Sequence, residues 1–348
     1  MTIEHVRNIL VIKWGALGDI IAGTPAIRAV REAFPEAHIT LLSNRLMKQI
    51  VPPGTLVDEL LVYEENSIKG WKWLLDHWQL ISKLRQRKFD VAINLRWCSD
   101  RTALLTFLSG ARYRVSSGPR EMMFLYNIRV PHPEGRYHEI HRNLDIVKAL
   151  GIEAYNETPF VFRSTEDREF ASQFFAQHSL QQGTTIGIHP GASKPIRAWM
   201  PERFTEIGRR LIEKRHVKIV VTWGPGEEPL ARQVADPLKP FAVLSPETKT
   251  IGQLAAVIEC CGLYISNCSG PMNVAMAVQT PVVALLGSSD PTDWGPYGDI
   301  HRMVKSSLYR EGYTDEEEYE AMKAITVEEV WNVVDKRWSE LQRKEEKF

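Results

Sequence analysis

Four cysteines in 348 residues, none in a CxxC pair, leave no disulfide framework and no thiolate metal cage. Those four, Cys98, Cys260, Cys261 and Cys268, suit a reducing compartment. Neither sign of charge is in excess. The 43 Lys and Arg balance 43 Asp and Glu, so the whole-chain charge points to no nucleic-acid partner. No uninterrupted apolar run is long enough to span a bilayer. The N-terminal MTIEHVRNILVIKWG lacks a secretion-signal pattern and runs directly into a strand. The expectation is a cytoplasmic protein. GxGxxG, GxxxxGK[ST] and GxSxG are all missing, which weakens dinucleotide, Walker and serine-hydrolase readings. His138-Glu-Ile-His141 is one residue short of HExxH and cannot set two ligands at i, i+4. Adjacent Cys260 and Cys261 face different directions on a helix and read as buried structure.

The chain does hold two successive runs of alternating strand and helix patterns. The first runs from the strand Asn8–Trp14 through the helix Ile20–Ala33, further strands and helices, to a helix ending at Gly151. A polar connection near 151–165 follows, and the alternation restarts with the strand Thr185–His189. This predicts an α/β chain of two doubly wound, Rossmann-like domains with parallel sheets, at 1–160 and 161–325. A charged amphipathic helix covers 326–348. Ligands of such sheets sit beyond the carboxyl ends of the strands, so residues just after strands are the candidates.

Four segments meet that test. LYISNCSGPMNVAMAVQTPVVALLG (263–287) reads as strand, small-residue turn, helix opened by Pro271, and strand. Ser269 and Gly270 leave space for an anion at that helix start, where exposed amides and the helix dipole favour negative charge. In KWGALGD (13–19), Asp19 is the only carboxylate; it reads as a helix cap or as a general base. In IHPGASKPIRAW (188–199), Ser193 lies in a small-residue stretch, and Lys194 and Arg197 are positioned to neutralise phosphates, or form a solvated basic loop. In TWGPGEE (222–228), Glu227 or Glu228 is a candidate for a ribose, against the simpler role of an acidic first helical turn. The N-terminal half also carries a basic stretch: Lys83, Arg85, Arg87, Lys88, Arg96, Arg101, Arg112, Arg114, Arg120, Arg129, Arg136 and Arg142. It suits solvated helix faces, an anionic acceptor or anionic lipid.

Taken together, GDIIAGTPAIRAVREAFPEAHITLLSN (18–44), HPGASKPIRAWMPERF (189–204), WGPGEE (223–228) and ISNCSGPMNVAMA (265–277) resemble glycosyltransferase family 9, the ADP-heptose:lipopolysaccharide heptosyltransferases. The resemblance implies a GT-B fold: two Rossmann-like domains facing a cleft, with the C-terminal helix returning to the first domain. It implies Asp19 as catalytic base, Arg197 on the donor diphosphate, Glu227 or Glu228 near the ribose, and Ser269 and Gly270 in the diphosphate turn. Two positions depart from the family pattern: Cys268 stands where Asp is usual, and Asn273 where His is usual. Both are expected to face the donor. The implied activity is an inverting, metal-independent transfer of a heptose-like sugar from an ADP-linked donor, with no cofactor. The implied acceptor is an anionic saccharide or glycolipid of the lipopolysaccharide-core type. The expected place is the cytoplasm, with peripheral contact at the inner face of the cytoplasmic membrane admitted. The alternatives are a noncatalytic sugar-nucleotide-binding protein of the same fold and a GT-B nucleotide-sugar epimerase.

Overall fold

The computed structural model describes residues 5–63, 71–96, 99–117, 120–131, 135 and 137–345. Cys98 and Arg136 lie outside the described residues, as does the side chain of Arg120. Contacts divide the chain into two units, Met1–Phe162 and Arg163–Phe348.

The first unit holds strands β1 (Asn8–Ile12), β2 (His38–Ser43), β3 (Glu59–Val62), β4 (Val91–Asn94), β5 (Tyr113–Ser117) and β6 (Ile128–Val130). Its helices are α1 (Leu17–Ala33), α2 (Met47–Ile50), α3 (Trp71–Gln86), α4 (Asp100–Leu108) and α5 (Glu139–Lys148). All the strands pair in parallel, in the order β3-β2-β1-β4-β5-β6. Helices cover both faces, which is why Ile9–Ile12 and Val91–Asn94 are buried throughout rather than alternating. Leu80 and Leu84 of α3 and Leu105 of α4 pack on Leu10, Ile12 and Ala92.

The second unit repeats the plan with β7 (Ile186–His189), β8 (Ile219–Val221), β9 (Ala242–Leu244), β10 (Leu263–Asn267), β11 (Val282–Leu286) and β12 (Arg302–Lys305). The order is β12-β11-β10-β7-β8-β9, again parallel. The helices are α6 (Thr165–Gln177), α7 (Pro201–Arg215), α8 (Glu228–Ala235), α9 (Ile251–Glu259), α10 (Gly270–Ala277), α11 (Pro291–Trp294), α12 (Asp315–Ala324) and α13 (Val327–Glu345). Among the described residues, no helix is long and apolar enough to cross a membrane.

The sequence reading missed β5, β6, β12, α2, α6, α11 and α12. Helix α6 starts inside the expected connection because Ser164 and Asp167 form a reciprocal capping box. The C-terminal helix α13 packs within the second unit. Its apolar side, Val330, Trp331, Val334 and Trp338, is buried in the core of the second unit, against α7, β11 and β12. An Arg215–Asp335 ion pair at 2.7 Å fastens it to α7.

Candidate active site

In the second sheet the chain order reverses between β7 and β10, and a crevice opens beyond the carboxyl ends of such a strand pair. Asn267, the last residue of β10, is fully buried and joins the two strand ends. Its amide nitrogen donates to the carbonyls of Pro190 (2.9 Å) and Gly191 (3.0 Å). Its oxygen accepts the Trp199 N–H at 3.1 Å. The loop carrying Ser193, Lys194 and the 3-10 turn Pro195–Arg197 is therefore tied to the start of the turn that follows β10.

That turn is Cys268-Ser269-Gly270. Ser269 occupies the N-cap of α10, yet its hydroxyl caps no amide and lies 3.4 Å from the Ser266 hydroxyl. Pro271 contributes no N–H, so the Gly270 and Met272 amides are the donors at this helix start. Asn273 is mostly buried, and its side-chain nitrogen donates to the Ser269 carbonyl at 3.0 Å. That bond ties Asn273 to its own helix with one of the two N–H groups of its amide. The Cys268 thiol lies 3.7 Å from the Trp294 carbonyl. Burial pushes its pKa up, against opposing effects of Ser289 and the nearby Arg197 charge.

The loop after β8 brings in Glu227. Its carboxylate accepts the Gly224 N–H at 2.8 Å and lies 3.4 Å from His189 Nε2. Burial raises its pKa. His189 is buried, and that burial depresses its pKa to about 4, so the ring is neutral near pH 7. A chain of hydroxyls orients it: His189 Nδ1 to Thr222 Oγ1 at 3.2 Å, and Thr222 to the Tyr264 hydroxyl at 2.6 Å. A β-carbon on Gly191 would overlap the Glu227 carboxylate where it now lies, so a larger residue there would displace that carboxylate. Glu228 is different. It pairs with Arg232 one helical turn on, at 2.6 Å on the exposed side of α8.

Arg197 and Lys194 each meet carboxylates. Arg197 Nε donates to Glu318 Oε2 at 2.9 Å, and its Nη2 bonds Glu318 Oε1, a two-pronged pair with α12. Lys194 Nζ lies 3.7 Å from the Glu318 carboxylate and 3.5 Å from Asp315. Glu318 is nearly buried, and the Arg197 hydrogen bonds lower its pKa. Ser193 is exposed on the same loop.

In the first sheet the order reverses between β1 and β4. Asp19 stands in the first turn of α1. Its Oδ2 accepts the Ala16 N–H at 3.0 Å, so it does serve as a cap. Its other oxygen lies 3.6 Å from Arg96 Nη1, just past β4. Both groups are partly exposed, the carboxylate at 21%. Gly15 has φ +151°, and a β-carbon there would sit 2.7 Å from that of Asp19, so the loop closes over the carboxylate only with glycine. Underneath, Lys13 is buried and donates to Glu139 (2.9 Å), Asn143 (3.0 Å) and the Leu95 carbonyl (3.3 Å). The ammonium thus links the ends of β1 and β4 to α5.

Asn267, His189 and Glu318 had no assigned role in the sequence reading, and Arg96 entered it only as one member of the basic stretch. The position of Asn267 at a strand end was the one available signal. No group of three or more His, Cys, Asp or Glu among the described residues is placed to hold a metal ion.

A family model for glycosyltransferase family 9 (heptosyltransferase) matches residues 77–324. Lipopolysaccharide heptosyltransferase 3 of Escherichia coli is 25% identical over 306 residues, covering 84% of this chain and 87% of that protein. Among solved structures, a family 9 glycosyl transferase from Veillonella parvula superposes with TM-score 0.80 at 24% identity, covering 96% of this chain and 97% of that one. E. coli heptosyltransferase WaaC with ADP gives TM-score 0.71 at 18% identity, covering 95% and 99%. The fold is that of the GT-B class, with two parallel six-stranded sheets.

Proposed function

The chain belongs to glycosyltransferase family 9, and on that premise we propose that it transfers a heptose-like sugar from an ADP-linked donor to a lipopolysaccharide-core type acceptor, with inversion. The observation that carries the reading is the β7/β10 switch point of the second unit. There Asn267 ties the loop that carries Arg197 to the start of the turn that opens α10. A diphosphate is the ligand such donors suit. Glu227 then faces the ribose. Asp19 accepts the proton of the acceptor hydroxyl as that oxygen bonds to the anomeric carbon. The bond from that carbon to the donor diphosphate breaks, and ADP leaves with the electron pair. Arg197 and the α10 amides stabilise the charge that grows on it, so the transfer needs no divalent metal. Arg96 keeps the Asp19 carboxylate oriented, and the arginines of the first unit favour an anionic saccharide or glycolipid acceptor at the inner face of the cytoplasmic membrane.

The test is release of ADP from ADP-heptose, with and without a lipopolysaccharide-core acceptor. Acceptor-dependent release that withstands EDTA is expected. Isomerised donor without ADP release would establish an epimerase instead. Binding without either reaction would establish a noncatalytic protein. Silencing by EDTA with rescue by Mg²⁺ would overturn the metal-independent step.

A further inference from the structure

Arg197 presents three nitrogens, and two of them, Nε and Nη2, are taken by one carboxylate, that of Glu318. The third, Nη1, makes no hydrogen bond among the described residues. Glu318 is itself held firmly. The Trp199 indole nitrogen donates to the carbonyl of Ile325, at the end of α12, at 2.9 Å. Arg203 donates to the Lys323 and Ile325 carbonyls at 2.7 and 2.6 Å. Met322 of α12 packs against Gly287 so closely that a β-carbon there would overlap it. Met322 and Ile325 lie in the core of the second unit, while the bond to the Lys323 carbonyl is at the surface. An element tied down in this way is not a lid that lifts to release its arginine.

We propose that Glu318 is a positioning residue: it holds the Arg197 guanidinium by two nitrogens so that Nη1 is directed at the donor diphosphate. The inference rests on the reading of Arg197 as a diphosphate ligand. It differs from the view that Lys194 and Arg197 act as a loose positive patch. Their two charges already face the two carboxylates Glu318 and Asp315, so orientation, not net charge, is what the loop offers a phosphate. An arginine held by a rigid fork loses little side-chain freedom when it meets a ligand. Asp315 and the other acidic residues of the first α12 turn are more exposed and give no such two-point hold.

The experiment uses the full chain and the variants R197A, E318Q, E318D and R197A/E318Q. Affinity for ADP and for adenosine is measured by calorimetry, and thermal melting confirms folding. Loss of a charge-assisted hydrogen bond predicts roughly 10- to 100-fold weaker ADP binding for R197A. E318Q should weaken ADP about 10-fold, leave adenosine within about twofold, and add nothing in the R197A background. E318D keeps the charge but draws the acceptor back by one methylene, so an intermediate loss is expected. If E318Q does not fold, E318D decides the matter. Tighter ADP binding by E318Q would overturn the proposal, because Glu318 would then compete with the diphosphate. Equal losses for ADP and adenosine would also overturn it, as the role would be structural. An unchanged E318Q beside a weakened R197A removes the positioning role alone. An unchanged R197A removes the reading of the site on which it rests.

Discussion

Replacing Asn267 by aspartate changes one atom of a buried junction and should cost about 4 kcal/mol at pH 8. In the native chain the side-chain nitrogen lies 2.9 Å from the Pro190 carbonyl oxygen and 3.0 Å from that of Gly191. A carboxylate oxygen there faces two acceptors. Two hydrogen bonds are lost, at about 1 kcal/mol each, and the acceptors left buried without a donor add about 1–3 kcal/mol. The folded state escapes part of this cost by keeping the introduced carboxyl protonated, so that group has a folded pKa above its unfolded one. Stability is then greatest below the unfolded value and is lost as pH rises through the folded value. Relative to the parent, the deficit should shrink by about 1.4 kcal/mol per pH unit between those two values on acidification. The buried histidines titrate in both proteins and cancel. Urea unfolding followed by tryptophan fluorescence at pH 8 and pH 5 reads the difference, since Trp199 is fully buried and its backbone N–H donates to the Asn267 side chain. A deficit below about 1 kcal/mol at pH 8, or one that does not narrow at pH 5, would refute the idea that Asn267 joins the two loops.

Asp19→Asn should lower turnover by about 100- to 10,000-fold while ADP affinity stays unchanged, measured by acceptor-dependent ADP release and calorimetry. His189 and His301, whose pKa values burial lowers from 6.5 to about 4, stay neutral in the fold. Each therefore contributes about 3 kcal/mol that is present above pH 6.5 and lost as pH falls towards 4; a melting temperature that does not drop across that window would be inconsistent with both. Trp338→Ala should cost about 3–5 kcal/mol in urea unfolding, because the indole fills the core under β11 and β12. A surface-like change of under about 1 kcal/mol would mean that α13 is not part of that core.

Much of the architecture was readable because parallel strands covered on both faces are simple apolar runs. Asn8–Ile12 and Val282–Leu286 were plain on that basis. The strands that escaped are the polar or peripheral ones. Tyr113–Ser117 has one aliphatic residue, and Arg302–Lys305 carries a charge at each end on the sheet edge. Helix α12 carries four acidic residues in its first turn, which masks the few side chains that face inward. Its start was nonetheless legible. Thr314 and Glu317 form the reciprocal cap that a Thr three residues before a Glu announces. The C-terminal helix shows the opposite case: its apolar stripe was visible, but a stripe says that a face is buried and not against which partner.

The site divides along the same line. Positions that follow strands were legible, since the chemistry of a doubly wound sheet gathers there, and Asp19, Arg197, Glu227 and Ser269 all stand at such ends. What a side chain does at such a position depends on partners far along the chain. Glu227 and Glu228 are neighbours with the same charge, yet one turns to buried His189 and the other to Arg232 on the helix surface. Lys13 lies in the first motif, but its ammonium is committed to Glu139 and Asn143, more than a hundred residues away. Glu139 itself belongs to the histidine-flanked stretch that failed as a metal motif, and its place beneath the Asp19 loop gives that carboxylate a different reason to be there. Arg197 is the sharpest example. Its type and location pointed to a phosphate, whereas its orientation comes from Glu318, 121 residues later on a helix that the sequence pattern concealed. Local chemistry thus identifies which residues are candidates to meet a ligand, and long-range packing decides how each is held.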